Sequence, residues 1–194
     1  MAMKKRVTEF YASVLKDLCE VRPYVFLAVA IYLAGLLVGL VFTGRFEILL
    51  DSFKRLAARF AGHSIPVLIL MIFLQNFFAS FVSVWVGALL GLVPAAAAAT
   101  NGIMLSVVFS TAARGDVWGA IVKLIPHGMF EMPAVFISWG LGLWRGAWLF
   151  RKRREVTFRQ RAVRAYGVFF SIVVPLLAIA AILEGLGIWY WKTH

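Results

Sequence analysis

Charged side chains are scarce in this chain. Only 15% of its 194 residues are Asp, Glu, Lys or Arg, and from Ser64 to Ala113 there is none of these, nor a histidine. Soluble domains carry roughly a quarter charged residues, so this composition cannot clothe a water-exposed surface. With 62% hydrophobic residues and a mean hydropathy of +0.88, the chain belongs in a bilayer. Cysteine is nearly missing: Cys19 alone excludes an intrachain disulfide and leaves the redox compartment unreadable. Three histidines, His63, His127 and His194, give no His-Glu-xx-His pattern and too few ligands for a metal centre. No Walker-type glycine-rich loop and no Ser-His-Asp or Ser-Lys arrangement occurs, so neither a cofactor nor an enzymatic activity is expected.

What is there is a series of apolar runs, several near the roughly 20 residues that cross a hydrocarbon core about 30 Å thick. The expected fold is all-α: one domain, a polytopic membrane helix bundle of about five spans, with an amphipathic interfacial helix and a short re-entrant or interfacial helix. Residues 1–22 are hydrophilic and precede a run of full spanning length, which does not fit a cleavable signal. The first span is 24–43, with Pro23 at its first helical position. Over 45–61, Phe46, Leu49, Leu50, Phe53, Leu56, Ala57 and Phe60 keep helical spacing against Arg45, Asp51, Lys54, Arg55 and Arg59. That pattern predicts a helix lying in the membrane interface.

The charge-free stretch is too long for one crossing, so it predicts two spans, 64–93 and 95–112, turning at Pro94. The alanine-rich second of these suits the bundle interior. Residues 116–125 are apolar but too few to span. Pro126 then opens a fourth span, 126–150, a basic loop follows at 151–164, and a fifth span runs over 165–191. Thirteen of the Lys and Arg residues fall on the N-terminal side of this arrangement and seven on the other, which predicts a cytoplasmic N-terminus and an outer C-terminus. Trp189, Tyr190 and Trp191 would form an outer aromatic belt. The net charge of +11, concentrated in the 151–164 loop, points to anionic headgroups as its partner and not to nucleic acid.

Gly35 with Gly39, Gly87 with Gly91, and Gly142 with Gly146 are Gly-xxx-Gly pairs inside spans. They let helices approach closely, and a face left over would make a homodimer. The polar residues inside spans are Gln75 and Asn76, Asn101, His127 and Glu131, and Glu184 near the end of the fifth. His127 and Glu131 share a helical face four residues apart, and Gly128 beside them allows close approach. Such a pair is either a proton or cation site or a structural device in which Glu131 satisfies free N–H groups at a helix start. Asn76 and Asn101 are interhelical hydrogen-bond partners or part of the same polar site.

The run Ile125-Pro126-His127-Gly128-Met129-Phe130-Glu131-Met132-Pro133-Ala134, followed by Gly140, Gly142 and Gly146, resembles the stage II sporulation protein M family of integral membrane proteins. Phe73 to Asn76, Gly87 and Gly91, and Asn101-Gly102 agree upstream in the same order. The resemblance implies a compact multispan protein. For the sporulation members it implies work as membrane partners of extracellular peptidoglycan-degrading proteins during engulfment. Similar proteins occur where no spore is made, and for these it supplies no molecular activity. Two function classes remain. One is a scaffold or assembly component with membrane or extracellular protein partners. The other is a small dimeric transporter or channel with a polar site of Asn76, Asn101, His127 and Glu131.

Overall fold

The computed structural model describes residues 2–42, 44, 62–87, 89–112, 117–150 and 156–193; the side chains at 2, 4, 112, 117–130 and 191–193 lie outside that description. Over these residues the chain forms α1 (Ala2–Val41), α2 (Ile65–Val86), α3 (Leu92–Ala112), α4 (Val117–Gly146), α5 (Phe158–Val168) and α6 (Val174–Thr193), with no strand among them. A 3-10 turn, Ala147–Phe150, follows α4, and a π turn, Phe169–Val173, joins α5 to α6. Among the described residues, four stretches are long and apolar enough to cross a membrane: Lys5–Val41, Ile65–Val86, Leu92–Thr111 and Phe158–Tyr190. The 30-residue α4 runs among them and packs on α1, α2, α3 and α6. The protein is an all-α, multi-pass membrane bundle. The amphipathic helix expected over 45–61 and the first part of the basic loop, 151–155, lie outside the described residues.

Prolines read as helix boundaries turn out to be tolerated inside helices. Pro23 does not start a helix; it sits within α1, which begins at Ala2. Its ring removes one backbone donor, but Val21 and Ala28 on either side are fully buried, and packing carries the helix through. Pro94 does not mark the turn either, since α3 begins at Leu92 and Pro94 occupies its first turn, where a missing N–H costs nothing. The actual reversal uses Leu90 (φ 59°) and Gly91 (φ 72°), both left-handed. The expected short helix at 116–125 and the span from 126 are one continuous α4, with Pro126 and Pro133 inside it. Seven residues is close to two turns, so the two lost donors fall on one side of the helix and leave the rest of its ladder intact.

The last span starts earlier than its apolar run. Thr157 caps α5: its side chain accepts from Gln160 N–H at 3.2 Å, while Gln160 Oε1 accepts from Thr157 N–H at 2.9 Å. Thr-x-x-Gln is a capping box, so residues 158–164 of the expected basic loop are helical. Further along, Val174 N–H reaches back to Phe169 O, a π-type bond. The extra residue accommodates Pro175, which cannot donate to the carbonyl of Ser171.

The core holds an aromatic cluster on each side of α4. Phe77 and Phe81 stack at 6.0 Å, and Phe81 stacks on Tyr166 at 5.8 Å. Around them Trp144, Val168, Phe169 and Leu177 are sealed from solvent. On the other side, Tyr32 meets Phe136 edge-on at 5.2 Å and Trp139 at 6.2 Å, over buried Ala28 and Ala98.

Candidate functional site

The polar residues singled out in the sequence do not share one environment. His127 and Gly128 lie on the α4 backbone, and their side chains fall outside the description. Glu131, one turn further on, is half-buried with its Oε2 atom sealed from solvent. Asn76 is half-buried on α2. Asn101 is exposed on α3, and its Nδ2 donates to Ala97 O of the same helix at 2.8 Å. Gln75 is also exposed, and Glu184 on α6 is half-buried. The hydroxyls inside spans follow Asn101: Ser83, Ser138 and Thr111 each donate to the carbonyl four residues back, and Ser106 to the one three back.

The three Gly-xxx-Gly pairs are spent inside the chain and do not supply a spare dimer face. A Cβ on Gly35 would lie 2.2 Å from Ala99 O, and one on Gly39 would lie 2.9 Å from Ile103 O. This is the crossing of α1 and α3, and Gly102 completes it with Tyr32 O at 2.1 Å. The other two pairs clasp each other. A Cβ on Gly87 would meet Gly142 Cα at 2.4 Å, and one on Gly146 would meet Gly91 N at 2.2 Å. Backbone touches backbone, so the tip of the α2–α3 hairpin is locked onto the end of α4.

That locked end carries a polar constellation of arginines and acids, which the sequence reading missed. Arg145 counted there as a loop cation, yet it lies in the last turn of α4 and is 5% exposed. Its Nη1 donates to Val84 O at 2.6 Å and lies 3.2 Å from Trp85 O and 3.4 Å from the Tyr166 hydroxyl. A helix leaves its last four carbonyls without intrahelical donors; at the end of α2, Gly87 N–H takes Ser83 O and Leu89 N–H takes Val86 O. The turn that follows holds Leu89, Leu90 and Leu92, all largely exposed, so it offers little water to the other carbonyls there. Arg145 supplies the missing donors, and its positive charge suits the negative end of a helix dipole. The guanidinium also stands over the rings of Tyr166 at 5.4 Å and Phe158 at 5.6 Å.

Two more arginines extend this collar. Arg161, 2% exposed, lies over Trp144 at 4.2 Å. Arg164 flanks the same ring at 5.4 Å. Its Nε donates to Asp17 Oδ1 at 2.7 Å, and its Nη2 bridges Asp17 and Glu20. These contacts tie α1 to α5. Trp148 Nε1 donates to Val156 O at 2.9 Å and its ring meets Phe158 at 5.4 Å, fixing the approach to α5. One signal was available: an arginine between Trp144 and Gly146, inside an apolar run, needs a partner in the bundle.

The signature run thus lies on the helix that touches every other span, with glycine contacts behind it and the collar at its end. The family model described as stage II sporulation protein M matches residues 27–187, which is most of the chain. The chain belongs to the stage II sporulation protein M family. The match opens in α1 just after Pro23 and closes in α6, so it takes in the hairpin, α4 and the arginine collar but leaves out the collar's acids, Asp17 and Glu20. No curated protein and no solved structure matches the chain.

Proposed function

We propose that this stage II sporulation protein M family member is a membrane-embedded assembly component: a rigid multispan unit that associates with other membrane proteins. Its N-terminus is cytoplasmic, as the distribution of Lys and Arg favours, and the basic region beginning at Arg151 meets anionic headgroups. The observation that carries this reading is the pair of exposed amides. Gln75 lies ten residues into the 22-residue α2 and Asn101 nine residues into the 21-residue α3. Both therefore sit roughly 15 Å along their helices, near the bilayer centre. Gln75 flanks the exposed apolar stripe of Leu70, Leu74, Phe78 and Val82.

An amide facing hydrocarbon with part of its hydrogen-bonding capacity unmet costs about 2 kcal/mol, whereas amides between helices act as polar glue worth roughly 0.6–2 kcal/mol each. A protein partner at these faces, a second copy or another spanning helix, removes that cost. Changing Gln75→Leu together with Asn101→Leu is expected to leave the melting temperature of the purified chain within a few degrees of the parent. In-membrane association, followed by energy transfer between labelled chains or by co-purification after crosslinking, is expected to fall at least tenfold. Full association in the double variant would remove the basis for this reading.

A second reading keeps the conduit. Glu131 holds a sealed carboxylate oxygen on the central helix, and intramembrane acids mark ion pathways. Proteoliposomes loaded with a pH-sensitive dye, under proton and monovalent-cation gradients, decide between the two. The assembly reading expects no flux above empty liposomes. Flux abolished by His127→Ala and by Glu131→Gln, with folding intact, would establish the conduit instead.

A further inference from the structure

The N-terminal part of α1 outreaches the bundle. At about 1.5 Å per residue, the 40 residues of α1 run roughly 60 Å, twice the ~30 Å hydrocarbon core. Along residues 3–21 apolar side chains recur in steps of three and four at Met3, Val7, Phe10, Val14, Leu18 and Val21, the seam of a helix that packs lengthwise on another. The inner half of that seam is used. Val14 (3% exposed) and Val21 (0%) sit in the core beside Trp144, Ala165 and Val168. The outer half is open: Met3 is 80% exposed, and Val7, Phe10 and Tyr11 about half. Lys5, Glu9 and Lys16 occupy the opposite side of the helix, and Arg6 flanks the seam. One seam thus passes without interruption from a filled interface to an unfilled one. A helix of about a dozen residues gains little from propensity alone, and its exposed aromatic stripe has the character of a contact surface.

Charge selects the occupant. The tip of the arm reads Lys4-Lys5-Arg6, and α5, which the N-terminal half of α1 meets at Arg164, exposes Arg159. Two such arms side by side would juxtapose like charges, which disfavours a second copy. The membrane surface is disfavoured as well, because α1 is one unbroken helix from Ala2 to Val41, so residues 2–13 continue the line of the span instead of turning into the interface plane.

We propose that residues 2–13 of α1 form a docking arm for an amphipathic helix of a partner protein whose apolar face is flanked by acidic residues. Recognition is helix against helix, with Met3, Val7, Phe10 and Tyr11 as anchors and Arg6, at the edge of the seam, setting partner choice. The proposal deepens the assembly reading and rests on it. The two fail separately, because Gln75→Leu and Asn101→Leu leave the arm unchanged.

The test uses the full chain in neutral phosphatidylcholine nanodiscs and two fluorescent synthetic helices, each with leucine at the core heptad positions. One carries glutamate at the flanking positions and the other lysine. Fluorescence anisotropy is expected to show the glutamate peptide binding at least tenfold tighter. Val7→Asp with Phe10→Asp is expected to lose at least tenfold of that affinity. Lys5→Glu with Arg6→Glu, which leaves the apolar seam intact, is expected to shift preference toward the lysine peptide. Equal affinities for the two peptides, or affinities unmoved by the charge reversal, overturn the proposal. A Val7→Cys chain with Cys19→Ser supplies the remaining outcomes. Protection from maleimide only when the nanodisc contains phosphatidylglycerol assigns the arm to the lipid surface and overturns the proposal, and a disulfide between two Val7→Cys chains assigns it to a second copy and overturns it equally.

Discussion

Gly146→Ala is expected to lower the stability of the bundle by roughly 3 kcal/mol. The added carbon would sit 2.2 Å from Gly91 N, 2.6 Å from Leu90 C and 2.7 Å from Gly87 O. All three neighbours are main-chain atoms, so no rotamer change relieves the overlap. Either the α2–α3 hairpin moves off α4 or α4 loses its last turn, and the second alternative also displaces Arg145. Gly187→Ala is the matched control. It lies in α6, and nothing stands within 4 Å of a Cβ placed there, so a gain of up to about 1 kcal/mol from helix propensity is expected. Thermal unfolding of both variants in the same detergent checks the pair: a large fall for Gly146→Ala beside no fall for Gly187→Ala. Equal melting temperatures would mean that the hairpin is not clasped by backbone contact.

Arg145→Met is expected to have a comparable effect by a different route. Methionine keeps the length and fills the space, so the cost is polar. Val84 O and Trp85 O lose their donor, and each buried carbonyl left unsatisfied costs about 1–3 kcal/mol. Loss of the guanidinium over the Tyr166 and Phe158 rings adds roughly 0.5–1 kcal/mol apiece. A total on the order of 3–5 kcal/mol follows from these magnitudes. Arg145→Lys should recover part of it, because an ammonium can reach one carbonyl but cannot spread a planar fork over two acceptors and two rings. Hydrogen exchange localises the effect. In Arg145→Met the amides of residues 87–92 are expected to exchange faster, while those at the α1–α3 crossing near Gly102 stay protected. Unchanged exchange at the hairpin tip would show that Arg145 does not hold it.

These two effects meet at one place, and that place was only partly legible in the sequence. The spans were readable because the charge-free stretch from Ser64 to Ala113 leaves no other fold for it. Their boundaries were misplaced wherever proline was given the deciding vote. Pro23, Pro126 and Pro133 all lie inside helices, and at Pro23 the buried Val21 and Ala28 outweigh one lost donor. The capping box Thr157 to Gln160 was in plain view and would have started the last helix at Phe158. Arg145 was hidden for a different reason: six residues before the Arg151–Arg154 run, it reads as part of a basic loop. Its acceptor, Val84 O, is 61 residues away in the chain, and no periodicity encodes that contact. Asn101 was expected to bond across helices; its partner is the carbonyl of Ala97 on its own helix. A polar residue in a spanning segment announces that it has a role, but which side of the helix it occupies depends on where the neighbouring helices pack.

That exterior placement is where the account is most exposed. The most direct measurement replaces Phe78, exposed on the same face as Gln75, with the photoreactive benzoyl-phenylalanine and irradiates intact membranes that contain the full chain. The assembly account expects a discrete protein adduct, either with a second copy or with another membrane protein, that disappears when Gln75→Leu and Asn101→Leu are added. Adducts with lipid alone, unchanged by those substitutions, would contradict it.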